Sequence, residues 1–194
     1  MIAERHAAVA ELWFPSLSGN SLVYQEIVYA DDHLSDERRV FALSLGEPES
    51  AARRLDTSGR ASMPLINQFG IAWKEADPGF NMLNWGTMWR YDPDTGGVSR
   101  LDTGGQEYVN YPAVGERFVA WWLADPTRFG VFDLERGVAR EIARYPSSAE
   151  RQVIEPHLSG KLLVWLYAED ADGESWSEIR YALLPGAGSD RGVP

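Results

Sequence analysis

Pro64-Leu-Ile-Asn-Gln-Phe-Gly-Ile-Ala-Trp73 and Pro112-Ala-Val-Gly-Glu-Arg-Phe-Val-Ala-Trp121 align without a gap. So do Pro15-Ser-Leu-Ser-Gly-Asn-Ser-Leu-Val-Tyr24 and Pro156-His-Leu-Ser-Gly-Lys-Leu-Leu-Val-Trp165. Each segment has Pro first, an apolar residue two later and an aromatic nine later, and the Pro-to-Pro steps are 49, 48 and 44 residues. Self-similarity at a period of 20–50 residues marks a repeat architecture.

Around this stretch each unit reads as four strands. A short apolar strand follows the Pro, and then a tight turn at Gly19, at Asn67-Gln68, at Gly115 and at Gly160. A second strand carries the aromatic. After a variable loop come third strands at Arg39–Leu43, Met88–Tyr91, Phe129–Phe132 and Ile179–Ala182. Polar turns such as Asp92–Gly96 and Glu135–Gly137 lead to fourth strands at Arg53–Asp56, Ser99–Asp102 and Arg140–Ala143. Units of about 45 residues with four antiparallel strands have the spacing of propeller blades. One such sheet cannot bury both apolar faces alone, so neighbouring sheets must stack. The expected fold is all-β: a β-propeller of four blade-like four-stranded repeats, either a closed four-bladed ring or a partial propeller. Its blades are expected at about 15–58, 64–104, 112–146 and 156–185, within a single domain over 1–185. The aromatic at the ninth position is expected to pack between blades.

The fourth unit shows only three strands, while His6 to Phe14 is a spare apolar segment ahead of the first Pro. Residues 6–14 are therefore expected as a spare strand able to close the last blade, with Ala7 to Leu12 beside Arg180-Tyr181. The tail 186–194 is expected to be flexible.

Composition agrees with a strand-rich, turn-rich chain: eight Trp, eight Tyr, seven Phe, eighteen Gly and eleven Pro among 194 residues. The net charge of −11 argues against nucleic acid as a partner, since an acidic surface repels phosphate. The absence of cysteine removes disulfides, thiolate metal sites and thiol nucleophiles. No signal peptide is visible and no segment reaches the roughly 18 apolar residues that cross a bilayer. The default compartment is the cytoplasm, or the periplasm or exterior if the chain is part of a longer one.

The unit resembles the blades of TolB-like propellers. The resemblance rests on Leu17-Ser18-Gly19 and Leu158-Ser159-Gly160, on Trp89-Arg90-Tyr91-Asp92-Pro93-Asp94-Thr95-Gly96, on Val131-Phe132-Asp133-Leu134-Glu135-Arg136-Gly137 and on Arg100-Leu101-Asp102-Thr103. It spans nearly the whole chain, and its motifs imply a fold rather than an activity.

Candidate ligand contacts lie in the loops between second and third strands: Asp31, Asp32 and His33 in the first, Asp77, Asn81 and Trp85 in the second, Asp170, Asp172 and Trp176 in the fourth. Carboxylates beside aromatics suit sugars or cationic groups. No catalytic residue, cofactor or metal is called for. No Gly-x-Ser-x-Gly elbow is present. His6 and His157 fall in different units without metal-ligand spacing. Asp170-x-Asp172-Gly173 begins like a calcium loop but lacks its distant Glu. The segment before Trp176 has Ala171 where a sialidase Asp-box needs Asp. The leading expectation is a non-catalytic binding or interaction scaffold with a protein or carbohydrate ligand. The alternatives are a carbohydrate-active propeller and an accessory propeller of a peptidase. An incomplete ring would imply self-association or a larger parent chain.

Overall fold

The computed structural model describes residues 10–29, 36–46, 48, 51–56, 58–76, 86–101, 110–124, 127–145, 151–171 and 174–185. Among the described residues, fifteen strands form four antiparallel sheets. The first holds β1 (Ala10–Ser18), β2 (Ser21–Val28), β3 (Glu37–Ser44) and β4 (Arg53–Arg54). The second holds β5 (Ala61–Asn67), β6 (Gly70–Glu75), β7 (Thr87–Tyr91) and β8 (Val98–Arg100). The third holds β9 (Asn110–Val114), β10 (Phe118–Ala124), β11 (Thr127–Asp133) and β12 (Val138–Arg144). The fourth holds β13 (Arg151–Ser159), β14 (Leu162–Ala171) and β15 (Glu174–Leu183). Every sheet meanders in chain order. The unit read from the repeat is thus the unit of structure, and the fold is a β-propeller of blade-like sheets.

The Pro does not start a strand. In all four sheets it lies inside the first strand, at a register break: between Trp13 and Ser16 in β1, between Ser62 and Leu65 in β5, opposite Ala120 to Trp122 in β9 and between Ile154 and His157 in β13. A proline has no N–H to give a ladder, so a bulge is where a sheet tolerates it. Phe14 and Met63, each just before its Pro, take left-handed φ of 50° and 53°. The Met63 N–H freed by the bulge donates to Oε1 of Gln25 in the preceding sheet, at 3.2 Å.

Of the expected spare strand 6–14 only residues 10–14 are described. Ala10 to Trp13 pair with Val28 to Gln25 as the start of β1 in the first sheet, and among the described strands β15 pairs with β14 alone. Residues 1–9 lie outside the described residues, as does the tail 186–194. Among the described strands β15 ends the fourth sheet with its outer edge unpaired.

The core lies between consecutive sheets. Trp73 packs on Val23, Val40 and Leu55 of the first sheet. Trp121 packs on Ala72, Met88 and Leu101 of the second. Trp165 packs on Phe118, Ala120 and Phe129 of the third, its ring centroid 5.0 Å from that of Phe129. The repeated aromatic therefore always points back at the preceding blade. Burying a Trp removes ~150–250 Å² from water, worth roughly 4–6 kcal/mol by area. Strand packing joins sheets one to two, two to three and three to four, and among the described strands none of the fourth packs substantially on the first. The described strands thus form an arc, as in a partial propeller. The bulges line a small cavity of about 180 Å³ bounded by Phe14, Pro15, Met63, Pro64 and Pro112, where the first strands converge.

Candidate functional site

Seven of the nine expected ligand contacts, Asp31, Asp32, His33, Asp77, Asn81, Trp85 and Asp172, lie outside the described residues. The other two are not brought together. Asp170 pairs with Ser175 and Glu169 with Trp176, so strand alternation puts Asp170 and Trp176 on opposite faces of the fourth sheet. Trp176 sits 5.5 Å from the ring of Tyr167, and Tyr167 Oη donates to Glu169 at 2.6 Å. The Arg180 guanidinium lies 3.8 Å from the centre of the same ring.

Most carboxylates of the repeat motifs serve the backbone. The buried Asp56 of Arg54-Leu55-Asp56-Thr57 accepts from the amides of Val40 (2.6 Å) and Gly59 (3.1 Å) and from Arg54 (3.0 Å). Asp92 accepts from the Asp94 amide at 2.9 Å, and the amides of Asp94 and Thr95 hold its carboxyl below the usual range. Asp133 accepts from the Arg136 amide at 3.2 Å and pairs with the buried Arg117, which also holds Glu135 at 2.7 Å. Gly96 and Gly137 close these turns with φ of 68° and 69°, which a side chain would strain. Among the described residues no three His, Asp or Glu side chains cluster as metal ligands would.

A described concavity lies at the opposite end of the sheets from the expected loops. It is a cleft of about 550 Å³ between the first and second sheets, beside the β1–β2 and β5–β6 turns. Ser18, Ser21, Ala42 and Ser44 form one wall, Ile66, Asn67, Ile71 and Tyr91 the other, and Arg53 stands at the rim. Arg53 Nη1 donates to Tyr91 Oη at 3.0 Å, and its guanidinium lies 4.9 Å from that ring's centre.

The repeat explains why the space is open. Val23 pairs with Ala42 and Ala72 with Arg90, so Ala42 and Arg90 hold the same place in successive blades. In the second blade Arg90 reaches toward the next sheet, 6.0 Å from the Phe132 ring, tied to Asp92 at 3.0 Å. In the first blade Ala42 and Ser44 leave that volume empty. Sequence reading missed Arg53 and Tyr91 because it treated both as strand residues. Aligning third strands across the copies, small in one and large in the next, is the signal that finds them.

Lys74 was also missed. It is wholly buried in β6 at the end facing the second-to-third-strand connections. Burial, with the nearby Arg38 charge adding to it, pushes its ammonium down to about 8. The other three copies put Gln25, Trp122 and Leu166 there.

No family profile matches the sequence, and no curated relative does either. Solved structures match in fold. The chain is similar to the β-propeller domain of the Trilobed protease from Pyrococcus furiosus: TM-score 0.58, 17% identity, 87% of this chain and 57% of that one. It is similar to an acylaminoacyl peptidase from Pyrococcus horikoshii, with TM-score 0.57 and 14% identity over 89% of this chain and 33% of that one. It is similar to TolB from Acinetobacter baumannii, with TM-score 0.53 and 16% identity over 86% of this chain and 39% of that one. These agree with the TolB-like resemblance of the repeat and place the chain among propellers. The chain spans between a third and three fifths of the length of these structures.

Proposed function

We propose that the chain is a non-catalytic propeller scaffold that takes a short polar segment of a partner, a peptide bearing a carboxylate, in the cleft between its first two blades. The observation that carries this is the cleft itself. It is about 550 Å³, within the ~300–1,000 Å³ of ligand sites. It opens where the next interface is filled by Arg90. The polar residues Ser18, Ser21 and Ser44 line it, and Arg53 offers a guanidinium fork of the kind that grips carboxylates. The net charge of −11 works against anions at long range, so the affinity expected is modest, micromolar or weaker. The motif carboxylates Asp56, Asp92 and Asp133 hold turn amides, which favours a structural duty for them over acid–base chemistry.

The test is fluorescence polarisation with a pooled set of labelled heptapeptides carrying free C-termini. Binding is expected, weakened about tenfold or more by Arg53→Ala and blocked by Ala42→Arg with Ser44→Asp, which copies the Arg90–Asp92 filling. Binding unaffected by the filled cleft, or no binding by a folded protein, overturns the proposal.

A sugar-binding reading has its own support at the other end of the sheets. Glu11 accepts from Trp13 Nε1 (2.9 Å) and Tyr29 Oη (2.8 Å), which together hold its carboxyl below the usual range beside a half-exposed indole. An ionised carboxylate next to an open ring suits a saccharide. Loss of glycan-array binding on Trp13→Ala would favour this site; binding unmoved by Arg53→Ala would rule out the cleft. The reading as an accessory propeller of a peptidase rests on the structural likeness to peptidase propellers alone.

A further inference from the structure

We infer that the two ends of the arc are made for each other, and that two copies of this chain close an eight-sheet ring head to tail. The internal interfaces define what each face of a blade is for. The face with the repeated aromatic covers the blade before it, and the opposite face receives the aromatic of the blade after it. Among the described strands, no other sheet packs on the covering face of the first sheet. Tyr24 stacks on its cross-strand partner Phe41 at 5.6 Å and stays half-exposed, where Trp73, Trp121 and Trp165 are 0, 3 and 5% exposed. Leu17 on the same face is 61% exposed.

In the fourth sheet no other described strand packs on the receiving face. Ile179, Tyr181 and Leu183 alternate along β15 with exposures of 76, 72 and 77%, opposite Leu166, Val164 and Leu162 of β14. Those three side chains leave on the order of 400 Å² in water, within the ~300–600 Å² of patches that mark interaction sites. A strand with one polar and one apolar face normally turns the apolar face inward. The other face of β15 already packs on the third sheet through Arg180, Ala182 and Leu184.

The contact that three internal interfaces repeat can therefore be made a fourth time, between the fourth sheet of one copy and the first sheet of another. Made twice about a two-fold axis, it gives eight sheets, the upper end of the common propeller range of ~4–8. Each contact needs only about 800 Å² for the pair to reach the ~1,600 Å² of a stable interface. The inference is independent of the cleft.

Light scattering with size exclusion, on the full chain in about 0.15 M salt where like-charge repulsion is screened, should give twice the 21.7 kDa chain mass. Tyr24→Glu on one face and Tyr181→Glu on the other should each give folded monomers with unchanged circular dichroism. Mixed, they should form a heterodimer, because each supplies the intact face the other lacks. A monomeric wild type at about 100 µM overturns the proposal. So does a Tyr24→Glu protein that stays dimeric, which would mean that fourth sheets pair with each other, and so do filaments, which would mean that the contact does not close.

Discussion

Replacing Lys74 with Leu, the residue that the fourth repeat carries at this position, should stabilise the protein at neutral pH. Lys74 is wholly buried, and its ammonium is lowered from the ordinary 10.5 to about 8. At about 1.4 kcal/mol per pH unit that difference corresponds to roughly 3 kcal/mol held against the charged form. The contacts the amine makes are lost with it, so the expected net gain at pH 7 is about 1–3 kcal/mol. The sign with pH follows from where each state releases its proton. Below about pH 8 both folded and unfolded chains keep Lys74 protonated, and the whole penalty burdens the wild type. Between about 8 and 10.5 the folded state gives up its proton first, so the wild type recovers stability as pH rises. The advantage of Lys74→Leu should therefore shrink steadily across that window. Urea unfolding followed by tryptophan fluorescence at pH 7, 8, 9 and 10 measures it. With a slope of about 2 kcal/mol per molar urea, the gain at pH 7 moves the midpoint up by about 0.5–1.5 M. A variant less stable than wild type at pH 7, or a gap that stays flat from pH 7 to 10, would refute the reasoning and assign Lys74 a favourable buried contact instead.

Two further substitutions test how the blades are built. A Cβ at Gly130 would lie 2.0 Å from Cζ2 of Trp121, its cross-strand partner, so Gly130→Ala should cost about 1–3 kcal/mol by overpacking and broaden near-ultraviolet tryptophan dichroism. Asp56→Ala strips the acceptor from the buried Val40 amide and the partly buried Gly59 amide and should cost about 2–4 kcal/mol in chemical denaturation, while Asp56→Asn, keeping an acceptor oxygen, should cost less.

The spacing of Pro and aromatic was enough to find the blades because both residues answer to the same geometric demand in every copy. The aromatic must bury itself against the preceding sheet, and the Pro must sit where the ladder skips a bond. What misled the reading was the meaning of the Pro. A residue that cannot donate looks like a strand boundary, yet here it marks a bulge in the middle of a strand. The residues ahead of it then look spare, although Ala10 to Trp13 pair with Val28 to Gln25 in the first sheet. Asp56 was visible as half of a repeated Arg-Leu-Asp-Thr, but its duty was not, because its acceptor role depends on an amide sixteen residues away in the chain. The candidate site was less legible still. A cleft is a difference between copies, not a property of one: Ala42 means nothing until Arg90 is seen to fill the same volume one blade later. In a repeat fold the shared positions report the architecture. Function is therefore to be sought where one copy departs from the others, at Ala42, at Lys74 and at the two sheet faces that no other described sheet covers.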